Sequence, residues 1–371
     1  MTHDVKHERI TRALLAQIAA GEFAPTGRLP SEAQLVERFG VSRPTAARAL
    51  RDLQEQGLVE RRVGSGSFVK PRADEATASR QLGFLVPGLG TTEIFEALGG
   101  ELAALARGRG YGLVWGAGRR AAGEDLSVRD AEELCDQFVR SRAAGVFFAP
   151  FEHEAGVGPA NRDLVERLRR EGVAVVLIDR DLAPFPMREG LDLVGLDNFA
   201  AGFLAADHLL KLGCRRLAFA RRPGSAATVA ARVAGAREAM RARGVAPPPD
   251  FAREGEFEDP AEVREAFLTG PVEAILCAND RMAAVLMRSL AKCDRRVPDD
   301  VRLVGFDDVR YATILSVPLT TVHQPCRDIA AVAFRTMLER IADPTLPPRT
   351  VTLAPRLVVR ESCGAYLPGG G

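Results

Sequence analysis

The chain has 371 residues and a net charge of +1, with 46% hydrophobic and 27% charged residues, a balance typical of two or three globular domains. No run of about 18 apolar residues is present, and the mixed charges of the first residues do not fit a secretory signal, so membrane and exported classes are excluded. The six cysteines are scattered without a CxxC pair. We therefore expect no metal site and no disulfide framework, and we expect a cytoplasmic protein.

The first 70 residues predict three helices followed by a β-hairpin. Apolar residues recur at helical spacing over 7–20, 31–39 and 42–56, and the two β-rich segments that follow are separated by a glycine-rich turn. Residues 1–72 carry twelve Lys and Arg against eight Asp and Glu, whereas the remainder carries 38 against 41. A basic winged-helix domain on an acidic remainder indicates, weakly on charge alone, a nucleic-acid binder.

The rest of the chain predicts an α/β fold. A polar linker over 71–80 precedes a large domain over 81–362, and we expect residues 363–371 to be a flexible tail. Repeated strand–helix units favour two lobes built on doubly wound parallel sheets. The predicted strands are nearly continuous apolar runs, as is typical of strands buried on both faces, at 82–86, 112–116, 145–149, 173–178, 193–196, 216–220, 274–278 and 301–306. The intervening predicted helices include 94–108, 162–171, 199–212 and 229–243.

The helix over 42–56 is the candidate DNA reader, because a major groove admits one helix. Arginine binds guanine edges or phosphates, and capped helix N-termini offer free N–H groups to phosphates. A glycine tip lets a hairpin backbone approach DNA closely. Leu29, Leu35, Leu50, Leu53 and Leu58 are interpreted as core. The candidate DNA contacts are Ser31, Ser42, Arg43, Thr45, Arg48, Arg51, Arg61, Arg62, Gly64 and Gly66.

These residues carry a family resemblance. The stretch GRLPSEAQLVERFGVSRPTAARALRDLQEQGLVERRVGSGSFV resembles the GntR-type winged-helix signature, which implies DNA contact by Ser42, Arg43, Thr45 and Gly66. Ala33 and Ala47 stand where many members carry arginine, so the family's base preference does not carry over. The alternative is that the arginines form only a solvated helix face.

Polar side chains that follow the predicted strands are the candidate ligand contacts. Open α/β sheets bind ligands at the carboxyl ends of their strands, and Asp, Asn, Arg and Gln supply the hydrogen bonds that a sugar needs. The candidates are Asp179, Arg180, Arg232, Asn279, Asp307 and Gln324. Several polar residues of these segments have a structural alternative to ligand binding. We interpret Asp280 as a helix cap, Asp197 and Asn198 as caps near a crossover, Arg232 as a possible partner of a core carboxylate, and Asp308 as structural. Glu93, Phe95, Phe151 and Glu152, with Thr91 and Thr92, are weaker candidates for the cleft, and Trp115 is interpreted as core.

The large domain also carries a resemblance. The segments IDRDL, GLDNFAAGFLAADHLLKLGCRRLAFA, CANDRMA, RLVGFDD and PLTTVHQP resemble the LacI/GalR-type effector domain, which has the periplasmic-binding-protein fold. The resemblance implies two lobes, three crossovers and a ligand between the lobes. It points to Asp179, Arg232, Asn279, Asp307 and Gln324 as contacts. The combination is similar to arabinose-repressor-like bacterial transcription regulators.

These expectations add up to a DNA-binding transcriptional regulator. We expect it to be a repressor and a homodimer, with operator DNA and a small sugar-type effector as partners, no cofactor and no catalytic residues. No GxSxG, P-loop or HExxH motif is present, so nothing assembles an enzyme. The alternative is a cytoplasmic sugar-binding protein or enzyme with an accessory nucleic-acid-binding domain.

Overall fold

The computed structural model of the chain describes residues 6–19, 23, 28–55, 59–62, 66–69, 79–86, 93–115, 128–152 and 157–367. The chain forms two compact units, Met1–Ala78 and Ser79–Gly371, here called the head and the body. The body's first strand begins at Ser79, inside the segment predicted as linker. At its other end Cys363 is buried, so ordered packing continues past the predicted limit at residue 362.

The head contains the predicted three helices and hairpin. Strands β1 and β2 are antiparallel, and an isolated bridge from Arg28 to Phe68 extends the small sheet. The elements are α1 Lys6–Ala19, α2 Glu32–Phe39, α3 Arg43–Glu55, β1 Val59–Arg62 and β2 Gly66–Val69. Their apolar faces form one core of Ile10, Leu14, Leu29, Leu35, Ala46, Ala49, Leu50, Leu53 and Val59. Four of the five leucines predicted as core are therefore buried, and Leu58 lies outside the described residues.

The body contains two six-stranded sheets. The first runs in the order β13-β7-β6-β5-β3-β4 and the second in the order β14-β12-β11-β10-β8-β9, and every described pair is parallel except β12 with β14. The strands are β3 Ser79–Leu85, β4 Gly112–Trp115, β5 Ala143–Phe148, β6 Ala174–Ile178, β7 Asp192–Leu196, β8 Leu217–Arg221, β9 Ala252–Glu254, β10 Ala274–Cys277, β11 Arg302–Asp307, β12 Thr320–His323, β13 Thr350–Leu353 and β14 Arg356–Val358.

Helices cover both faces of each sheet, which is why the central strands are continuous apolar runs. The helices are α4 Glu93–Gly108, α5 Val128–Arg140, α6 Val157–Arg170, α7 Asn198–Lys211, α8 Ala227–Ala242, α9 Pro260–Val263, α10 Asp280–Ala291 and α11 Cys326–Ala342. Helices α4 and α11 share one core of the first lobe, and α5 and α6 share the other. In the second lobe, α7 and α8 pack on one face and α10 on the opposite face.

The chain passes between the lobes three times. It leaves the first sheet after β7, returns after β12 through helix α11, and leaves again between β13 and β14. The fold class is thus confirmed: an N-terminal helix-turn-helix domain is followed in the chain by two doubly wound, mostly parallel sheets.

Two details of the body differ from expectation. The apolar runs predict eight strands, whereas the described residues of the body form twelve. The four additional strands, β9, β12, β13 and β14, are short or partly exposed and lack a continuous apolar run. Trp115 is not core: its side chain is 41% exposed. It ends the edge strand β4, where only one side of the strand has a neighbour.

Candidate nucleic-acid interface and ligand site

Helices α2 and α3 of the head form a compact helix-turn-helix. Ser31 caps α2 in a capping box, in which its hydroxyl accepts from Gln34 N and its own N–H donates to Gln34 Oε1 at 2.8 Å. Gly40 ends α2 with a φ of 63°, a left-handed conformation that favours glycine. The turn therefore fixes where α3 starts and which face of α3 is left uncovered.

The uncovered face of α3 carries the predicted arginines. Arg43, Arg48 and Arg51 are exposed, while Ala46, Ala49 and Leu53 of the same helix are buried in the core. Arg43 Nε lies 3.4 Å from Glu32 Oε2, an exposed pair that is worth little and can be exchanged for a phosphate. This face is cationic, as a groove-reading helix requires.

The first turn of α3 brings two other candidates together. The hydroxyls of Ser42 and Thr45 lie 2.8 Å apart, and the backbone N–H of Thr45 donates to Ser42 O. Both hydroxyls lie at the N-terminus of the helix, where the dipole favours an anion.

The hairpin keeps its glycine at the start of β2. Gly66 has a φ of 111°, a conformation that side chains rarely adopt, and Leu29 N donates to Ser67 O beside it. Arg61 and Arg62 lie in β1, and Gly64 lies outside the described residues. The predicted wing is therefore present as a hairpin anchored to the loop before α2.

In the body, Arg180 is buried among three predicted partners at the carboxyl end of β6. Its Nη1 lies 2.5 Å from Glu152 Oε1 and its Nε 3.2 Å from Asp179 Oδ2. Its guanidinium lies over the ring of Phe95 at 5.4 Å. Burial alone would lower the pKa of Arg180, but the negative charges of Glu152 and Asp179 outweigh it and raise that pKa. Arg180 is thus a fixed cation within the first lobe.

Arg232 is the corresponding buried cation of the second lobe. Its Nε donates to Asn198 Oδ1 at 2.8 Å and its Nη1 to Ala278 O at 2.6 Å. Its Nη2 lies 3.7 Å from Asp307 Oδ1, and its guanidinium lies over the Phe306 ring at 4.6 Å. Arg232 does pair with a buried carboxylate, and it lies in the second turn of α8 rather than in the first turn of the helix predicted over 229–243.

The aspartates at the strand ends have backbone conformations that are unusual for residues other than glycine. Asp179, Asp307 and Asp308 have φ values of 70°, 110° and 57°. Positive φ in residues other than glycine is uncommon and collects at ligand sites, where the surrounding fold holds it in place. Burial, with Asp179 nearby, raises the pKa of Asp307 to about 7, although Arg232 opposes the shift.

Gln324 connects the second crossover to the first lobe. Its Nε2 donates to Asp179 Oδ1 at 3.2 Å, and its Oε1 is buried with no hydrogen-bond partner among the described residues. A buried amide oxygen without a donor is costly, and a ligand hydroxyl would satisfy it. Six polar side chains at these strand ends are called the clamp below. They are Glu152, Asp179, Arg180, Arg232, Asp307 and Gln324.

The helix cap at the end of β10 is Asn279, and not Asp280 as the sequence predicts. Asn279 is the helix cap, because its Oδ1 accepts from Met282 N at 2.8 Å. Asp280 is not a cap: it is fully buried, accepts from Thr321 Oγ1 at 2.6 Å and from Val309 N at 3.0 Å, and so ties α10 to neighbouring segments. Asp197 caps α7 as predicted. The amide nitrogen of Asn279 keeps its place at the strand end, so its ligand role stays a prediction.

Two contacts between the lobes involve the weaker candidates. Glu152 Oε2 accepts from Ala226 N at 2.8 Å, and Glu93 Oε2 accepts from Arg310 N at 2.8 Å. Asn198 accepts a hydrogen bond from Arg232 and so orients it. The sequence predicts Asn198 only as a helix cap, so this contact with the candidate site is not predicted. The signal that could have identified it is its position at the first crossover. Thr91 and Thr92 lie outside the described residues.

Comparison with known proteins separates the same two parts. Residues 6–69 match the family model "Bacterial regulatory proteins, gntR family", and residues 206–363 match the "Periplasmic binding protein-like domain". The chain is similar to the arabinose metabolism transcriptional repressor of Geobacillus stearothermophilus, with 26% identity over 96% of this chain and 97% of that protein. It is 31% identical to the ribose operon repressor of Escherichia coli K12 over 49% of this chain. That match covers 56% of the repressor's own length, so the chain spans only about half of this relative.

A solved structure described as the transcriptional regulator CelR–cellobiose complex has the same fold. Its TM-score is 0.65 at 24% identity, covering 87% of this chain and 91% of the other. Among the described residues, no helix is long and apolar enough to cross a membrane. The head therefore carries a gntR-type domain and the body a periplasmic-binding-protein-like domain, and the chain is a DNA-binding transcriptional regulator rather than an enzyme.

Proposed function

We propose that this protein is a cytoplasmic, homodimeric repressor whose affinity for operator DNA is set by a small sugar held in the clamp. The observation that carries the proposal is the clamp itself, in which polar groups of both lobes converge at the strand ends. Ligands of open α/β sheets bind at this place.

Operator binding is assigned to the face of α3 and the wing. The supporting observations are the exposed Arg43, Arg48 and Arg51 on one side of α3 and the hydroxyls of Ser42 and Thr45 at its N-terminus. Arginines at these positions bind guanine edges or phosphates, while Ser31 and the wing residues position the head on the backbone. Arg61, Arg62, Gly64 and Gly66 complete the proposed surface.

A sugar suits the clamp because of the groups that it presents. Asp179, Asp307 and Gln324 offer acceptors, and Arg180 and Arg232 are planar donors held in place by Glu152 and Asn198. Vicinal hydroxyls donate and accept at once, so they match such alternating groups. Relatives whose names refer to arabinose, ribose and cellobiose support this ligand class.

Ligand and operator are coupled through the lobes. A ligand that contacts both lobes stabilises one inter-lobe arrangement, and a coupling of about 1–3 kcal/mol is enough to change operator affinity 5- to 150-fold. A homodimer presents two heads to two half-sites, as winged-helix proteins on palindromic operators require. We propose that the sugar relieves repression.

The test uses the full-length protein and DNA from upstream of its own gene. Fluorescence anisotropy should show specific binding that falls when the effector sugar is added, and light scattering should give the mass of a dimer. Arg232→Ala should bind the operator normally and fail to respond to the sugar. The proposal is wrong if the wild-type protein binds no operator, or if a panel of sugars changes neither operator binding nor melting temperature.

A further inference from the structure

Two hydrogen bonds between the lobes share one arrangement. In each, a glutamate of the first lobe accepts from a backbone N–H of the second lobe at 2.8 Å: Glu152 Oε2 from Ala226 N, and Glu93 Oε2 from Arg310 N. Each donor lies at the start of a helix, because Ala226 directly precedes α8 and Arg310 begins the short helix Arg310–Thr313. Backbone N–H groups at these positions have no acceptor within their own helix, so the first lobe supplies the acceptors.

Helix α8 lacks a residue of its own that would accept from its first N–H. In a capping box, the N–H of the residue before the helix donates to a Glu or Gln at the third helical position, but α8 has Val229 there. Ala226 makes no side-chain cap either, whereas Asp197 caps α7 and Asn279 caps α10. The negative charge of Glu152 is also favourable at the positive end of the helix dipole.

Glu152 is held in place within the first lobe. Its other oxygen, Oε1, lies 2.5 Å from Nη1 of the buried Arg180, so the carboxylate is already oriented when it meets α8. Arg232 lies in the second turn of that helix. The bond from Glu152 to Ala226 N therefore connects the buried cation of the first lobe to the helix that carries the buried cation of the second.

Glu93 binds a segment that is fixed to the second lobe. Val309 N donates to Asp280 Oδ2 at 3.0 Å, and the next N–H along the chain, that of Arg310, donates to Glu93. Asp280 is fully buried in the second lobe. Because Asp280 ties the segment to α10, the segment stays with the second lobe when the lobes separate. The bond to Glu93 is therefore a connection between lobes.

The two bonds attach the second lobe at separate places. Ala226 follows β8 and Arg310 follows β11, and strand β10 lies between these strands in the sheet. Two attachment points oppose rotation of the lobes as well as their separation. Both bonds consist of protein atoms alone, so they act with or without an effector, and both break when the lobes part.

We infer that Glu93 and Glu152 form a latch, which stabilises the closed arrangement of the body by binding two helix N-termini of the second lobe from the first. The latch sets the equilibrium between closed and open lobes. The inference rests on the proposed function for its regulatory meaning and deepens it. The apparent affinity for an effector falls with the fraction of the body that is closed, so the latch determines how much effector is needed to release the operator.

Hydrogen exchange of the full-length protein, without sugar or DNA, tests the latch, because it reports the opening of backbone amides. Mass spectrometry with fragmentation resolves the single amides. Glu93→Ala should speed exchange at Arg310 roughly tenfold or more, since a hydrogen bond to a charged acceptor is lost. It should also speed exchange at Ala226, whose own acceptor is unchanged, because the lobes open together. Glu152→Ala should have the reciprocal effect at Arg310.

Two matched variants separate the latch from local effects. Glu96→Ala removes the other acidic residue in the first turn of α4, which is exposed, and should change exchange at neither amide. Glu93→Gln keeps an acceptor oxygen at the same place and should retain most of the protection at both Arg310 and Ala226.

The inference is wrong if Glu93→Ala speeds exchange at Arg310 alone, because the bond would then be only a local contact. It is equally wrong if the Ala226 amide exchanges as fast in the wild type as in Glu152→Ala. Should one variant fail to fold, the reciprocal effect of the other decides. Each of these failures leaves the proposed function standing, since operator and sugar binding are measured separately.

Discussion

Arg232 Nη2 and Asp307 Oδ1 lie 3.7 Å apart in the second lobe, and both side chains are almost completely buried. Arg232 also donates to Asn198 and Ala278, so its removal takes three contacts from the lobe at once. This relationship makes the ligand site and the stability of the lobe depend on the same side chains.

Arg232→Ala should therefore lower the free energy of unfolding of the body. Removing one partner of a buried pair costs roughly 3–5 kcal/mol, and here the hydrogen bonds to Asn198 and Ala278 are lost as well. Urea unfolding measures the loss. Arg243→Ala is the matched control: Arg243 pairs with Asp207 but is 41% exposed, so its loss should cost at most about 1 kcal/mol. Equal losses for both variants would contradict the assignment of Arg232 to a buried cluster.

Asp307 should give the body an unusual dependence on pH. Because burial raises the pKa of Asp307 to about 7, above its ordinary value of about 3.9, the folded state holds the proton more tightly than the unfolded chain. This stabilisation is full below about pH 4 and is lost as the pH rises through about 7. The pKa of Asp280 is raised by burial and by Asp307, in the same direction.

Melting temperatures of the wild type and Asp307→Asn between about pH 5 and pH 8 test this linkage. The wild type should lose more stability than the variant as the pH rises, because the amide cannot ionise. Asp179, Glu152, Arg180, Arg232 and Asp280 are charged or titratable groups that interact with Asp307, and all are retained in the variant. Parallel curves for the two proteins would show that Asp307 does not titrate in this range.

Gly235→Ala should destabilise the second lobe. Helices α7 and α8 pack so closely that a Cβ at Gly235 would overlap Phe199 O, and a Cβ at Gly202 would overlap Arg232 O. Overpacking against backbone costs typically about 1–3 kcal/mol. Gly100 in α4 has no atom within 4 Å of the corresponding position, so Gly100→Ala should be stabilising by about 0.5–1 kcal/mol. Thermal unfolding of the two variants should shift in opposite directions, and a shared direction would refute the packing argument.

Arg48→Ala should weaken operator binding and change its salt dependence. If Arg48 neutralises a phosphate, the slope of log K against log salt should become shallower by about one unit. If it reads a base, discrimination should fall by about 1–3 kcal/mol at one operator position. Anisotropy titrations at several salt concentrations distinguish these cases. Arg169→Ala, an exposed arginine of α6, should have neither effect, and wild-type behaviour of Arg48→Ala would remove Arg48 from the interface.

The sequence predicts the elements with strong periodicity well. Helix α1 begins and ends within one residue of its prediction, and the eight apolar runs all correspond to strands, because continuous burial leaves a clear pattern. Strand β12 is missing from the predicted strands, because TTVH has no apolar run and Thr320 is held by hydrogen bonds to the distant Ser362 and Arg360. Such long-range hydrogen bonds leave no local signal.

The candidate site is predictable in outline and not in detail. Strand-end position alone selects Asp179, Arg180 and Asp307, because topology brings those ends together. It cannot decide between Asn279 and Asp280 as the cap, since both types cap helices equally well and only the neighbouring Thr321 and Val309 settle the choice.

The first lobe is assembled from two distant stretches of chain, because α11 and β13 return to it after the second lobe has been made. During synthesis, the head and strands β8 to β12 are each made as one continuous stretch of chain. The first sheet is complete only when residues 326–353 have been made, because they cover one of its apolar faces and pair with its edge strand. The nascent chain therefore exposes apolar, aggregation-prone surface during most of its translation. A ribosome-stalled chain ending near residue 323 should be bound by chaperones even though its DNA-reading part is already folded.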